Sequence, residues 1–386
     1  MTQSKKTILL LTPGPVHIQS KAWAGLEHIH HRTERFREIV RESSTLTGVL
    51  AGTSRDVFFL TASGSGAMES AICNLTVPGT SVMTVSGGKF GDRWTELARA
   101  FGCDVDPVLF DPGKRIDIST ILDRMKKKTP EVITLAHVES STGLLLELRE
   151  LLESLPEPRP LVVLDAVASL GSEEIRMDEW GIDLLVSAGQ KALAAPPGIS
   201  LVIASEKAAC VYKKNDNRKY YFSYGRYEEG MSTMDTPFTP AVQSLQIMHD
   251  SLLKMKNDGV EKARNRHSVF AQAFLRAASI LGLRSFPEVP SASVQALRMP
   301  PEVIADEILS YLVDEKGLML TGGQGELKGK VIRTGFLGVH CGGVIRSLVE
   351  GLAGALREQG LDGDLDRALD ELSVLKTWPD SPLRKL

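Results

Sequence analysis

The chain of 386 residues lacks the features that mark several large classes of protein. It has few cysteines, and none of them form a Cys-x-x-Cys pair. They are Cys73, Cys103, Cys210 and Cys341. Such scattered cysteines argue against a cysteine-based zinc or iron–sulfur site and indicate a reducing, intracellular environment.

Long apolar runs and an excess of one charge are also missing. No apolar run approaches the length of a membrane span, and a Pro-Gly-Pro turn ends the apolar run at residues 8–11 too early for a signal peptide. Lys and Arg number 45 against 48 for Asp and Glu, which gives a net charge of −3. This balance provides no electrostatic surface for nucleic acid or for an anionic membrane.

A metal site is not predicted either. His30 and His31 are adjacent, but no carboxylate or third histidine lies nearby at the spacing of metal ligands.

The length of the chain exceeds that of one typical domain, and 42% of the residues are hydrophobic, which is enough for a sizeable core. We expect an N-terminal arm (residues 1–20), a large domain (21–255) and a small domain (256–386).

Short apolar runs alternate with amphipathic segments in the first part of the chain, which favours an α/β fold with a mostly parallel, doubly wound sheet. The predicted strands are at residues 57–60, 81–86, 104–110, 132–136, 161–164, 184–186 and 199–204, with helices at 34–47 and 118–128. The second part reads as a smaller α+β domain. Its predicted helices are at 242–255, 261–281, 302–315 and 342–356, and its strands at 294–297 and 330–333.

Polar side chains follow two of the predicted strands. Asp165 ends the run 161–164, and Gln190-Lys191 follow the run 184–186. Groups beyond the carboxyl ends of parallel strands face the ligand crevice of an open α/β sheet. A lysine there can form a Schiff base with an aldehyde cofactor, while a carboxylate keeps a pyridine nitrogen protonated. The alternative is that Lys191 is a solvated loop lysine and Asp165 a helix N-cap.

One segment and two single residues each have both a functional and a structural interpretation. Ser63-Gly64-Ser65-Gly66 follow a strand and open a helix, which suits a phosphate but also a plain strand–helix turn. Phe90, at the next strand end, can stack on a flat heterocycle or belong to the core. Arg333 can hold a substrate carboxylate or form a structural ion pair.

Taken together, the motifs resemble the class V aminotransferases of the fold-type I pyridoxal-phosphate enzymes. The similarity runs from about residue 9 to about residue 356 and is strongest with the alanine–glyoxylate and serine–pyruvate group, whose relatives include proteins once described as soluble hydrogenase subunits. The motifs that carry it are Thr12-Pro13-Gly14-Pro15, His30-His31-Arg32, Ser63-Gly64-Ser65-Gly66, Gly87-Gly88-Lys89-Phe90-Gly91, Glu139-Ser140-Ser141-Thr142-Gly143, Asp165-Ala166-Val167-Ala168-Ser169-Leu170-Gly171, Gln190-Lys191-Ala192, Pro196-Pro197-Gly198, Thr236-Pro237-Phe238-Thr239-Pro240 and Arg333.

The resemblance implies a role for individual residues. Lys191 forms the Schiff base with pyridoxal 5′-phosphate and shuttles the proton, and Asp165 pairs with the pyridine nitrogen. Arg333 grips the substrate carboxylate, with Gly14 close by. The remaining implied cofactor contacts are Ser63, Gly64, Ser65 and Gln190 at the phosphate, Phe90 on the ring, Ser140 at the ring oxygen, and Thr236 and Thr239 reaching the phosphate from a neighbouring subunit.

The implied activity is transfer of the amino group of alanine or serine to glyoxylate or pyruvate by a ping-pong mechanism in a homodimer. Two other functions stay open: a non-catalytic partner protein with the same fold, and a class V lyase such as a desulfurase, for which Cys341 is the cysteine nearest the substrate arginine. The family commonly has Ser-Gly-Ser where this chain has Ser187-Ala188-Gly189. We expect a cytoplasmic location, with Arg384-Lys385-Leu386 as a weak indication of a peroxisomal one.

Overall fold

The protein is described by a computed structural model that covers residues 8–18, 20–338 and 341–377, without the side chains of residues 20, 21 and 377. The first residues of the predicted arm and the C-terminal tripeptide lie outside the described residues. The strands are β1 (Leu9–Leu10), β2 (Val57–Leu60), β3 (Ser81–Ser86), β4 (Asp104–Leu109), β5 (Val132–Ala136), β6 (Val138–Glu139), β7 (Leu144–Leu145), β8 (Leu161–Asp165), β9 (Leu184–Ala188), β10 (Ser200–Ala204), β11 (Arg284–Ser285), β12 (Gln295–Arg298), β13 (Leu318–Met319), β14 (Thr321–Gly322) and β15 (Val331–Thr334).

Helices lie between most of these strands. They are α1 (Ser20–Ala24), α2 (Glu34–Ala51), α3 (Gly64–Leu75), α4 (Lys89–Ala100), α5 (Ile118–Lys127), α6 (Leu148–Glu153), α7 (Met177–Trp180), α8 (Glu206–Tyr212), α9 (Tyr224–Met231), α10 (Val242–Asp258), α11 (Val260–Ile280), α12 (Ala305–Tyr311), α13 (Gly342–Glu358) and α14 (Leu365–Asp370). A π-helical segment at Leu312–Lys316 extends α12, and 3-10 segments lie at Gly325–Leu327 and Glu371–Thr377.

A seven-stranded sheet in the order β2-β10-β9-β8-β5-β3-β4 forms the centre of the first part of the chain. Its strands are parallel except β10, which runs antiparallel to β2 and to β9. The central strands β8 and β9 are buried along their whole length, as expected for apolar strands with helices on both faces. The predicted mostly parallel sheet is therefore confirmed.

The helix ends follow from local sequence. Thr33 caps α2 by accepting a hydrogen bond from the Phe36 backbone N–H, and Gly52, with φ of 70°, ends it. The helix predicted at residues 34–47 is thus four residues longer in the structure. Ser63 caps α3 by accepting from the Gly66 N–H, so the predicted strand–turn–helix unit is present.

The second part of the chain has its own hydrophobic core. A four-stranded antiparallel sheet in the order β11-β12-β15-β14 packs with α11, α12 and α13. Leu11 belongs to this second core, because β1 pairs in parallel with β13. This agrees with the predicted α+β unit. The domain boundaries at residues 20 and 255 stay a prediction, and α10 continues past the second of them to Asp258.

Two predicted elements differ from the structure. The helix predicted at 302–315 starts at Ala305, and its last turns widen into the π-helical segment that Gly317 ends, with φ of 66°. The helix predicted to close the chain at 356 runs to Glu358 and is followed by α14, which packs against α11 and α13. Helix α14 has only six residues, too few for a helical period to be read from sequence.

Candidate active site

Most of the predicted functional residues meet at one cavity of about 260 Å³. They come together because β2, β3, β5, β8 and β9 are parallel, so that their carboxyl ends lie at the same edge of the sheet. The predicted residues that line the cavity are Gly14, Ser63, Gly64, Ser65, Phe90, Ser140, Asp165, Gln190 and Lys191. Arg333, Thr236 and Thr239 are not among its lining residues.

Lys191 lies buried in this cavity rather than in solvent. Its Nζ donates a hydrogen bond of 2.6 Å to the backbone carbonyl of Pro13. The pKa of Lys191 is lowered to about 8, mainly by burial and also by the charge of Arg333, while the charge of Asp165 opposes the shift. A larger fraction of the amine is therefore neutral near pH 7 than for an exposed lysine, which favours nucleophilic attack.

Asp165 ends β8 at the bottom of the same cavity. One of its carboxylate oxygens accepts a hydrogen bond of 2.9 Å from the Val167 backbone N–H. Burial raises the pKa of Asp165 to about 6, and the nearby positive charges of Lys191 and Arg93 oppose that shift. A turn, not a helix, follows Asp165, so the helix N-cap alternative is wrong. A cationic ring nitrogen beside this group would favour its ionised form.

The start of α3 lies at the cavity wall and has the geometry that suits an anion. Gly64 and Ser65 occupy the first turn, where backbone N–H groups and the helix dipole favour negative charge. An added Cβ at Gly64 would lie 3.0 Å from a methyl group of Val167, so the backbone is close to its neighbours there. The Ser63 side chain is occupied by its cap hydrogen bond to Gly66.

Two further polar side chains line the cavity, Arg93 and Gln190. Arg93 donates a hydrogen bond of 3.0 Å from Nη1 to the Ser65 hydroxyl, and it brings a positive charge to the cavity wall. The buried Oε1 atom of Gln190 has no hydrogen-bond partner among the described residues. A buried amide oxygen without a partner is costly, so a ligand that donates a hydrogen bond would satisfy it.

Arg93 is the principal side chain that the sequence analysis missed. It follows Phe90 by three positions on α4, and its guanidinium carbon lies 4.9 Å from the centre of the Phe90 ring. A charged residue one helical turn after a predicted ring-stacking residue was a usable signal, because positions i and i+3 share a helix face. The Phe90 backbone is fixed by Glu139, whose buried carboxylate accepts from the Phe90 and Gly91 N–H groups.

Arg333 lies on β15 and borders the cavity through Ser140. Its Nη1 donates to the Ser140 carbonyl at 2.7 Å, and its Nη2 donates to the Gly322 carbonyl at 2.9 Å. Within the described ranges its acceptors are backbone carbonyls, not the carboxylate of the alternative ion pair. Each terminal nitrogen retains one further N–H, so the guanidinium still has donors for a carboxylate.

The two threonines predicted to serve a neighbouring subunit lie away from the cavity of their own chain. Thr236 is buried, and its hydroxyl donates to the Phe238 carbonyl at 2.9 Å. Thr239 is exposed. Within one chain, these two threonines therefore do not join the other residues predicted to bind the cofactor. Their contact with the phosphate of a neighbouring subunit stays a prediction.

The described residues contain no metal site, and the cysteine considered for a desulfurase lies outside the cavity. No group of three or more His, Cys, Asp or Glu side chains there is arranged to hold a metal ion. His30 and His31 stack on each other with ring centres 4.4 Å apart. Cys341 is buried and does not line the cavity. None of the helices in the described ranges has the length and apolar character needed to cross a membrane.

Comparison with known proteins points to one family. A family model described as aminotransferase class V matches residues 17–334. The chain is 34% identical over 365 residues to alanine–glyoxylate aminotransferase from Oryctolagus cuniculus, covering 91% of this chain and 92% of that protein. It is 33% identical over 361 residues to the soluble hydrogenase 42 kDa subunit of Anabaena cylindrica, covering 92% and 94%.

A solved structure has the same fold over nearly the whole chain. Ureidoglycine–glyoxylate aminotransferase from Bacillus subtilis superposes with a TM-score of 0.91 at 22% identity, covering 98% of this chain and 100% of that one. The fold of the chain is thus that of a fold-type I transferase. The fold class predicted from the sequence is confirmed.

Proposed function

Because the chain belongs to the class V aminotransferase family, we propose that it is a pyridoxal-phosphate-dependent enzyme that transfers the amino group of alanine or serine to glyoxylate or pyruvate. The observation that carries the proposal is the burial of Lys191 and Asp165 in one cavity that also has an anion site. A lysine and an acid have little reason to be buried together in a protein that performs no chemistry.

The residues of the cavity fit pyridoxal 5′-phosphate. The first turn of α3 and Arg93 would hold the phosphate, Gln190 would donate to it from its amide nitrogen, and Asp165 would pair with the ring nitrogen. Phe90 would stack on the ring, Ser140 would lie at its oxygen, and Lys191 would hold the aldehyde carbon covalently. When bound, this cofactor supplies an aldehyde for an amine and an electron-withdrawing ring that weakens the Cα–H bond of the attached amino acid.

Lys191 has a second task once the substrate amine has replaced it. The Lys191 amine, whose pKa is lowered by burial in the cofactor-free protein, would take a proton from the substrate Cα and return it to another carbon. A base whose pKa lies near the working pH serves both directions of such a transfer. Arg333 orients the substrate by gripping its α-carboxylate, with Gly14 close by.

A homodimer in the cytoplasm is part of the proposal. In a dimer, the exposed Thr239 and its neighbour Thr236 would reach the phosphate bound by the partner subunit. The four cysteines are free in the structure, which favours a reducing compartment.

The second candidate function is a non-catalytic partner protein, because the chain is also similar to a protein named as a hydrogenase subunit. The buried lysine and acid speak against it. A desulfurase is disfavoured by Cys341, since those enzymes need a mobile, accessible thiol and this one is buried.

The test is the visible absorption spectrum of the protein loaded with pyridoxal phosphate. We expect alanine or serine to convert the aldehyde form of the cofactor to its amine form, and glyoxylate or pyruvate to restore it. Lys191→Ala should abolish turnover, while Lys262→Ala, at an exposed helical position, should leave it unchanged. A loaded protein that no amino acid converts would favour the non-catalytic function.

A further inference from the structure

The amine of Lys191 is held by the first described residues of the chain. We call residues 12–16 the opening segment. The Pro13 carbonyl accepts the hydrogen bond from Nζ at 2.6 Å, and the Val16 N–H donates to the Gln190 carbonyl at 3.2 Å. Gly14 lies against the lysine side chain, since an added Cβ there would be 2.6 Å from Cδ of Lys191. The segment therefore packs directly on the predicted catalytic residue.

The conformation of the opening segment depends on one side chain. The buried hydroxyl of Thr12 donates to the Pro15 carbonyl at 2.8 Å and accepts from the Gly14 N–H at 3.3 Å. These two bonds close a turn around Pro13. The direction of the Pro13 carbonyl towards Lys191 thus follows from Thr12.

The other end of the opening segment is tied to the strand that carries Arg333. The Leu11 carbonyl accepts hydrogen bonds of 2.9 Å from the Thr334 hydroxyl and from the Gly335 N–H. An added Cβ at Gly335 would lie 3.1 Å from the Thr12 carbonyl oxygen, so the two backbones are in close contact. Residues 11 and 12 are therefore in direct contact with the residues that follow Arg333 at the end of β15.

Lys191 faces two charged side chains from other elements. Asp165 at the end of β8 favours its protonated form, and Arg333 on β15 disfavours it. The Pro13 carbonyl adds a neutral acceptor that stabilises the ammonium form by a charge-assisted hydrogen bond.

We propose that the opening segment is a positioning element, in which Thr12 orients the Pro13 carbonyl to hold the Lys191 amine and the Leu11 contacts couple that amine to the strand of Arg333. The inference rests on the proposed function, because it assigns meaning to the site residues named there. It adds a link between the carboxylate site and the reactive amine that none of the predicted roles contains.

The test measures the proton affinity of Lys191 in the cofactor-free protein. Competitive labelling with acetic anhydride across pH 6–10, followed by mass spectrometry of the peptide that contains Lys191, reports the midpoint of its deprotonation, because only the neutral amine reacts. Thr12→Val keeps the shape of the side chain and removes both hydrogen bonds. We expect a midpoint lower by about 0.5–1 pH unit, since the ammonium loses its oriented acceptor.

Matched variants separate positioning from general damage. Thr12→Ser keeps the hydroxyl and should restore the wild-type midpoint, and Gly225→Ala, where an added Cβ meets nothing within 4 Å, should not move it. Thr334→Val loosens the other end and should shift the midpoint in the same direction, which keeps the test valid if Thr12→Val does not fold.

An unchanged or raised midpoint in the folded variants would overturn the proposal. Labelling needs neither cofactor nor substrate, so the positioning role and the proposed transamination fail separately. If the midpoint shifts but no amino acid converts the bound cofactor to its amine form, the proposed transamination is rejected and the positioning role of the opening segment is retained.

Discussion

At the scale of single residues, burial moves the pKa values of Lys191 and Asp165 towards each other, to about 8 and about 6. Burial disfavours the ammonium form of Lys191 and the carboxylate form of Asp165. The opposite charge of each group partly offsets the pKa shift of the other. The pair is therefore sensitive near neutral pH to any further charge that enters the cavity. A cationic ring near Asp165 and a carboxylate near Arg333 are the charges that the proposed chemistry brings.

Arg333→Ala tests the carboxylate site. Loss of a bidentate charged contact should raise the KM for both the amino acid and the 2-oxo acid, on the order of 2–5 kcal/mol in binding. Arg333→Lys should recover little of this, because a lysine lacks the planar fork. Arg298→Ala serves as control, since Arg298 is exposed on β12 and lies over the Phe286 ring. Steady-state kinetics give the KM values, and an unaltered KM in Arg333→Ala would move the carboxylate site elsewhere.

The proximity of Lys191 and Asp165 was predictable from the sequence. Both residues stand directly after apolar strands, and the parallel sheet brings strand ends together. Arg93 was detectable only through its spacing of three residues from Phe90, because a single arginine on a helix has no other distinguishing pattern. The Pro13 carbonyl was missed because every residue has one, and only the folded backbone shows where it points.

At the scale of elements, Glu173 connects the turn after β8 with the loop before β12. Its Oε1 accepts a hydrogen bond of 2.6 Å from the Ala292 N–H. Burial raises the pKa of Glu173 to about 7 from its ordinary value of 4.5. The folded state binds the proton of the Glu173 carboxyl more tightly than the unfolded state does. The contribution of this proton to the free energy of unfolding is therefore fully present below pH 4.5 and is lost as the pH rises through about 7.

Glu173→Gln should therefore change the pH dependence of stability. The amide keeps an oxygen acceptor and cannot ionise, so we expect the variant to exceed the wild type at pH 8 by on the order of 2 kcal/mol and to match it at pH 5. Urea unfolding of the cofactor-free protein at both pH values measures this. Glu174→Gln, at the exposed neighbouring position, should show little change at either pH. An equal difference at the two pH values would contradict a role for ionisation.

Helices and strands with long or fully apolar sequence patterns were predicted. Short elements, and elements that form only through pairing with a distant part of the chain, were not. Strands β2, β3 and β5 and helix α11 follow their hydrophobic runs to within a residue. The two-residue strands β1 and β13 exist because they pair with each other across more than 300 residues of chain, which no local pattern encodes. The Gly14 backbone lies at the cavity, as the family resemblance implied, but the pairing of β1 with β13 that anchors the chain before it is visible only in the folded structure.

At the scale of the whole molecule, the loop of Thr236 and Thr239 indicates how two chains would share their sites. Thr239 is exposed, and an aromatic group lies beside it: Phe238 stacks on Tyr221 at 4.8 Å, and Tyr220 is 67% exposed. Exposed aromatic side chains are typical of protein interfaces. A loop with a free hydroxyl next to such a surface fits a contact made in the partner subunit.

Mixed dimers of Lys191→Ala and Thr239→Ala subunits separate the shared site from an unshared one. If Thr239 serves the partner subunit, the lysine of the Thr239→Ala chain meets the intact Thr239 of the Lys191→Ala chain, and each mixed dimer has one complete site. It should then show half of the wild-type activity and, at that site, wild-type cofactor affinity. If Thr239 serves its own chain, the activity should be half that of the Thr239→Ala homodimer, and the cofactor should bind about 5-fold more weakly, as for one lost hydrogen bond. Differently tagged subunits purified in tandem provide the mixed dimer, and Thr239→Ser in place of Thr239→Ala should erase the distinction.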